Sequence, residues 1–339
     1  MSEFKIPTPA RYLLCLVLIV AFLAIGFAIT EGDVLTRAQN QIIIQVGFFI
    51  ILAVSLNLMT GYLGQLPLGH AGFMAVGAYT AGIFWRSGLL PGQLSIVTGI
   101  VLAGVVTAIS GLLIGIPALR LRGDYLAIIT LGFGEIIRSV IINLRETPGG
   151  TTITGGAQGL LGIPRYSTFL VVYTCVIVTC ATIHVLMKSR HGRAIYAIRD
   201  NEIAAESCGV STTYYKVMAF AVSAFFAVIA GALFAGSFGI LTPDAFDFMQ
   251  SINILMMVVL GGMGSMIGSI ISAAILTSLP MMMQFLNEYR MVIFALMLII
   301  VMIYKPSGLM GEYDFSLSRS IEKTVNWFRA KKGDGHGKA

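Results

Sequence analysis

Long apolar runs recur from one end of this chain to the other and leave no stretch where a large soluble domain could form. About twenty consecutive apolar residues cross the hydrocarbon core of a bilayer as a helix. In lipid a spanning segment must satisfy its own backbone hydrogen bonds, so runs of this length read as helices. The expectation is an all-α polytopic membrane protein. Composition agrees, because only 11% of residues are charged, against about 25% in a soluble domain.

The runs predict about ten transmembrane helices. They cover roughly Tyr12–Ile29, Gln41–Thr60, Phe73–Trp85, Leu94–Leu119, Asp124–Leu144, Phe169–Met187, Val217–Phe238, Met249–Leu260, Met266–Met283 and Met291–Tyr304. The first reads as a retained span, since it is longer than a usual signal-peptide core and lacks a small-residue cleavage site. The fourth carries Gly111-x-x-x-Gly115, a close-packing pattern. Asp124 suits the N-cap of the fifth. Cys15, Cys175 and Cys180 sit in apolar runs and Cys208 in a polar stretch, which predicts reduced, structural cysteines.

Two glycine-rich breaks interrupt the pattern. The first, Gly61-Tyr-Leu-Gly-Gln65-Leu-Pro-Leu-Gly-His70-Ala-Gly72, joins the second and third runs. The second, Gly261-Gly262-Met-Gly264-Ser265, joins the eighth and ninth. Irregular backbone at membrane depth survives only inside protein or beside a watery cavity. Paired breaks in the two halves of a chain point to a transporter with a central pathway; tight loops between spans remain the plainer reading. The third run is short, which suits a broken or re-entrant element. Gly262-x-Gly264 lacks the further glycine of a nucleotide loop. His70 reads as a packing or capping histidine, because no second His or Cys stands near it at ligand spacing.

One internal stretch is strongly polar. Residues 188–216 hold Lys188, Arg190, Arg193, Arg199 and Lys216 together with Asp200, Glu202 and Glu206. The stretch brings its own helix punctuation. Asp200 or Asn201 can cap a helix, Glu202 stands in its first turn, and Gly209 suits its C′ position. A helix of about two turns is marginal alone and needs a partner surface. Ala204 and Ala205 are small enough to let such a surface approach. An orientation loop is the alternative.

Lys and Arg counts set the orientation. With the N-terminus inside, sixteen fall on the inside and five, Arg37, Arg86, Arg145, Arg165 and Arg290, on the outside. Both termini and the 188–216 loop are then cytoplasmic, and the 145–168 loop is periplasmic. The tail, 312–339, repeats Leu317, Ile321, Val325 and Phe328 at helical spacing among basic residues, as an amphipathic helix lying on the bilayer would. This leaves 1–311 as the membrane domain. The net charge of +6 is spread over helix ends and tail and gives no nucleic-acid signal.

Glu135 lies about 16 Å beyond Asp124 at 1.5 Å per residue, near the midplane. Arg138 is one turn on, on the same face. Intramembrane ionisable residues face the bundle interior and pair. The pair reads either as a structural ion pair at an interface or as a pathway-lining pair.

Several motifs match a known family. The stretch Asn57-Leu-Met-Thr-Gly-Tyr-Leu-Gly-Gln-Leu-Pro-Leu-Gly-His-Ala-Gly-Phe-Met-Ala-Val-Gly-Ala-Tyr79 resembles the signature of branched-chain amino acid ABC permeases. Gly123 to Arg138, Thr154 to Pro164, Arg199-Asp-Asn-Glu-Ile-Ala-Ala-Glu206, Leu260 to Ser265 and Lys305-Pro-Ser-Gly-Leu309 resemble the LivM-type subunit. In the last, Lys305 replaces the usual Arg; in the 203–209 stretch, Ile203 stands where the first Glu of an E-A-A-x-x-x-G loop would be. The resemblance spans about residues 40–311. It implies a heteromeric importer of the bacterial inner membrane with a permease core like that of vitamin B12 and sugar importers. Its partners would be a second, LivH-type permease, two ATPase subunits and a periplasmic binding protein.

On this resemblance, Arg199, Asp200, Asn201, Glu202, Ala204, Ala205, Glu206 and Gly209 form the ATPase-coupling helix. Asn57, Gly61, Gln65, His70, Glu135, Arg138, Gly261, Gly262 and Gly264 fall at the translocation pathway or a permease interface. The chain carries no Gly-x-x-x-x-Gly-Lys-Ser/Thr loop, so ATP-Mg would bind the partner subunits. A secondary transporter would carry more midplane carboxylates than Glu135. An enzyme would need converging nucleophile, base or metal ligands, and none is visible. Urea or short amides are the alternative substrates to Leu, Ile and Val.

Overall fold

The computed structural model describes residues 8–32, 35–89, 92–118, 124–144, 153–282, 289–305 and 308–311. The basic residues Arg120 and Arg122, the start of the 145–168 loop and the whole 312–339 tail lie outside the described residues.

Each apolar run carries a helix. In order these are α1 (Thr8–Glu31), α2 (Arg37–Asn57), α3 (His70–Arg86), α4 (Gly92–Ala118), α5 (Asp124–Asn143) and α6 (Phe169–Lys188). The polar stretch holds α7 (Arg190–Asp200) and α8 (Glu202–Ser207). Then follow α9 (Thr212–Phe238), α10 (Phe248–Gly261), α11 (Met266–Met282) and α12 (Tyr289–Tyr304). Among the described residues, four segments are long and apolar enough on their own to cross a membrane: Arg37–Tyr62, Tyr125–Asn143, Phe169–Lys188 and Thr212–Phe238. Residues 36–312 form one compact unit; α1 belongs to a separate one.

The core of the large unit is α9, which packs on α2, α3 and α4. Small residues bring α3 and α9 backbone to backbone. A Cβ on Gly77 would collide with the Val228 carbonyl, and one on Gly231 with the Met74 carbonyl. Such reciprocal notches are how helices gain contact where lipid supplies no hydrophobic drive between them. Phe48 meets Phe234 edge to face at 5.4 Å, and Phe73 meets Phe220 the same way at 5.4 Å.

Several expectations need correction. The third run is not broken: α3 is one continuous helix of 17 residues. It is short, as the run predicts, at about 26 Å, and α10 with 14 residues is shorter still at about 21 Å; both fall below the hydrocarbon thickness of about 30 Å. The close approach of α4 is not made at Gly111, where a Cβ would meet only Ala224 and Phe73 at 3.9 Å. It is made at Gly99, which lies on the Trp85 indole. Asp124 is the first residue of α5 rather than a flanking cap. Finally, the chain is not purely helical. Leu160–Leu161 and Ile240–Leu241 form a two-residue antiparallel pair, register Leu160 with Leu241. These loop residues are extended, and pairing satisfies backbone groups that no helix takes up.

Candidate functional site

The two glycine-rich breaks, far apart in sequence, lie directly against each other. Break one begins where α2 widens into a π turn, Leu58–Tyr62. Its wide register is seen in Leu63 N–H donating to the Leu58 carbonyl at 3.2 Å and Gln65 N–H to that of Met59 at 2.9 Å. Single π turns mark functional positions in many helices. Break two follows α10, and its Ser265 Oγ accepts from Gly268 N–H at 3.1 Å, capping α11.

Asn57 joins them. It is fully buried, and its Nδ2 donates to the Ser265 carbonyl at 3.1 Å while its Oδ1 accepts from Gly264 N–H at 2.9 Å. Gly61 makes the approach possible, since a Cβ there would collide with both Asn57 Oδ1 and the Gly264 nitrogen. Gly261 rests on Gly268 in the same manner. From the C-terminal side, Gly308 packs on Gly262, and Leu309 N–H donates to the Leu260 carbonyl at 2.7 Å.

Break one also leans on α5. Leu68 N–H donates to Thr130 Oγ1 at 3.0 Å, and a Cβ on Gly72 would sit 2.8 Å from Gly134 Cα. His70 opens α3 buried, with Nε2 at 2.9 Å from Ser55 Oγ. Ala71 N–H donates to Ser251 Oγ of α10 at 3.2 Å. Gln65 lines a cavity of about 300 Å³ shared with Leu126 and residues 198–202, and its Oε1 is buried there without a hydrogen-bond partner.

The polar stretch is a two-helix elbow, one helix more than the sequence reading gave. Gly192 allows the tight turn from α6, because a Cβ there would collide with the Met187 carbonyl. Along α7, Gly192, Ile195 and Ile198 turn inward. Asn201, not Asp200, is the N-cap of α8: its Oδ1 accepts from Ala204 N–H at 3.0 Å. The helix closes in a Schellman motif, with Val210 N–H to the Ala205 carbonyl at 3.0 Å and Gly209 N–H to that of Glu206 at 2.9 Å. Gly209 has φ +83, as the C′ residue of that motif requires. Glu202 pairs with the buried Lys216 at 2.8 Å and so ties α8 to the foot of α9.

One expectation fails here. Ala205 does not face outward; it is buried in its own chain, while Ile203, Ala204 and Glu206 are exposed. A helix must turn one side inward to be held at all.

Arg199 closes the set. It ends α7 between the two breaks. A Cβ on Gly64 would lie 3.2 Å from its Cγ, and one on Gly264 would lie 3.2 Å from its Nη1. Tyr196, one turn earlier, meets Tyr62 of the π turn edge to face at 5.7 Å. The elbow therefore touches both breaks at one end of the bundle.

Glu135 and Arg138 stand apart from this junction. They pair at 3.5 Å, but both are part-exposed, at 40% and 27%, on a helix that shows most of its side chains. The expected isolated pair is a trio. Arg138 also holds Asp244, just beyond α9, by a short ion pair, and its Nε donates to the Pro243 carbonyl at 3.2 Å. Asp244 carries no signal in the sequence, because it is an exposed acid beyond an apolar run and its pairing with Arg138 joins residues 106 positions apart.

Apolar helices crossed by glycine breaks, with a polar helical elbow resting on the breaks, are the build of a multi-pass membrane permease. The chain belongs to the family described as branched-chain amino acid transport system / permease component, whose model matches residues 40–302. It is 35% identical to the high-affinity branched-chain amino acid transport system permease protein LivM of Salmonella typhimurium, over 89% of this chain and 76% of the relative. The Escherichia coli LivM is 34% identical over the same shares. The Escherichia coli LivH permease is 23% identical over 78% of this chain and 91% of its own.

Proposed function

We propose that this chain is the membrane-spanning subunit of an ATP-driven importer of branched-chain amino acids in a bacterial inner membrane. The observation that carries the mechanism is the elbow. A capped, exposed six-residue helix is joined through Arg199 to both breaks, which is what a chain needs if force is to enter from outside it. ATP-Mg binds two partner ATPase subunits, and α8 docks on them through Ile203, Ala204 and Glu206. A periplasmic binding protein delivers substrate at the opposite end. Residues 1–311 form the permease domain, with a core of the vitamin B12 and sugar importer kind, and 312–339 lies on the inner leaflet.

The chain crosses about ten times, with both termini and the elbow cytoplasmic. The sixteen-to-five basic asymmetry supports this. Charged side chains facing lipid are costly. The face where Glu135 and Arg138 of α5 meet Asp244 is accordingly turned to the pathway or to the second, LivH-type permease.

Two measurements test this. Ala204→Trp should leave the permease inserted and paired but release the ATPase subunits in a pull-down and abolish uptake in vesicles. Full ATPase retention with normal uptake would sink the docking role. A cysteine at Ala157 should label from outside intact cells; labelling at Ser211 from outside would overturn the topology.

A further inference from the structure

The elbow and the breaks are linked by contacts of Arg199 with both breaks and of Tyr196 with Tyr62. Break one ends α2 and starts α3; break two ends α10 and starts α11. Anything fixed to both breaks is fixed to four helices at once. Arg199 is placed to do this. Its stem lies on Gly64 and its guanidinium on Gly264, both glycines with positive φ, at +76 and +89. A side chain at either would be strained and would press on Arg199. Between the breaks, the Asn57 amide has both its ends committed to break two.

We infer that Arg199 and Asn57 are positioning residues of the transport cycle, acting in series as a latch that makes both breaks follow α7 together. This rests on reading the elbow as the ATPase dock. Besides the latch, the elbow is tied to the foot of α9 by Glu202 and Lys216, a tie that touches neither break. Residues 198–202 and Leu63–Leu66 line a shared cavity of about 300 Å³, so away from the Arg199–Gly64 contact displacement of α8 is not passed to break one by filled packing. It reaches break one through the contacts of Arg199 and of Tyr196 with Tyr62. The Tyr contact involves break one alone; Arg199 spans both. Break two in turn is tied to α2 by Asn57. Its backing by Gly308 and Leu309 makes it a rigid block rather than a loose loop, so a push at Gly264 is carried into α10 and α11.

The distinguishing signature is uncoupling: ATP is spent without import. The full complex, with both permeases, ATPase subunits and binding protein, is reconstituted in vesicles, and uptake per ATP hydrolysed is read alongside ATPase retention. Arg199→Ala and Asn57→Asp should each lower uptake per ATP about tenfold, within the 5–150-fold range of coupling between sites. Arg199→Lys should fall between, because it keeps the stem on Gly64 and loses the planar head. Two members of one series link should not add, so the Arg199→Ala/Asn57→Asp double variant should be no worse than the poorer single. If Asn57→Asp does not assemble, Gly64→Ala, which presses on Arg199 from break one, reads the same link.

An unchanged uptake-per-ATP ratio in Arg199→Ala, or multiplied losses in the double variant, overturns the latch. So does loss of ATPase subunits in Arg199→Ala, which would make Arg199 a docking residue. Failure of the docking reading shows separately, as full ATPase retention in Ala204→Trp.

Discussion

The junction of the two breaks and the outer face of α5 are opposites. At the junction, backbone lies on backbone, Asn57 is fully buried, and its amide makes both its hydrogen bonds within the chain. On α5, Ile128, Ile136 and Val140 are exposed, and the trio Glu135, Arg138 and Asp244 is only part-covered. The first region is complete in one chain. The second is unfinished, with apolar surface and charge side by side. The difference separates what this subunit must do alone from what it does in company. Interruptions of a membrane helix have to be closed internally, whereas a charged face has to be closed by something else.

The largest effect should come from breaking the finished region. Gly61→Ala puts a methyl onto Asn57 and the Gly264 amide, and overpacking costs about 1–3 kcal/mol where neighbours can shift. Here the neighbour is backbone, so we expect loss of folded, monodisperse protein on size-exclusion chromatography. Recovery at the unmodified yield would mean that the breaks are not locked together.

The unfinished region should respond differently in isolation and in the complex. Arg138→Gln removes one member of a part-exposed trio, and exposed ion pairs are worth about 0–1 kcal/mol. The lone subunit should therefore lose little thermal stability. Once the face is covered, an orphaned carboxylate costs about 3–5 kcal/mol, so co-purification of the second permease should fall sharply. Adding Asp244→Asn should restore part of it, because Asp244 is the closest partner of Arg138. Equal loss in both settings would show that the face is not an interface.

The smallest effects compare two glycines of α4. Gly111→Ala should change thermal stability by less than about 1 kcal/mol, since a helical Gly→Ala gains roughly that in backbone entropy and the space is open. Gly99→Ala should destabilise, because its Cβ would strike the Trp85 indole, whose Nε1 is held by the Ser95 carbonyl at 2.8 Å. If the two behave alike, glycine spacing and not local space governs this helix.

The helices were legible because each answers to a local rule. Apolar length gives the runs, and caps such as Asn201 and Gly209 give the ends. Family motifs pointed to Asn57, Gly61 and Gly264, but not to their contact, which joins residues more than two hundred positions apart. Helix α7 was hidden because its inward residues, Gly192, Ile195 and Ile198, are few among charges. The inward turn of Ala205 could not be told from that of Ala204, since the two have the same side chain and only packing separates them. Asp244 reads as a loop acid until Arg138 is seen beside it.

The Asn57 clamp also sets an order of events at the ribosome. When α2 enters the bilayer, the backbone groups that will hold its terminal amide have not been synthesised; Ser265 follows 208 positions later. Through most of translation that amide must be sheltered by water, by the translocation machinery or by temporary partners, because an unpaired amide in hydrocarbon costs several kcal/mol. Break two then waits in turn for Gly308 and Leu309. Chains truncated before residue 308 should thus insert their helices yet stay open at this junction and be the preferred prey of membrane proteases.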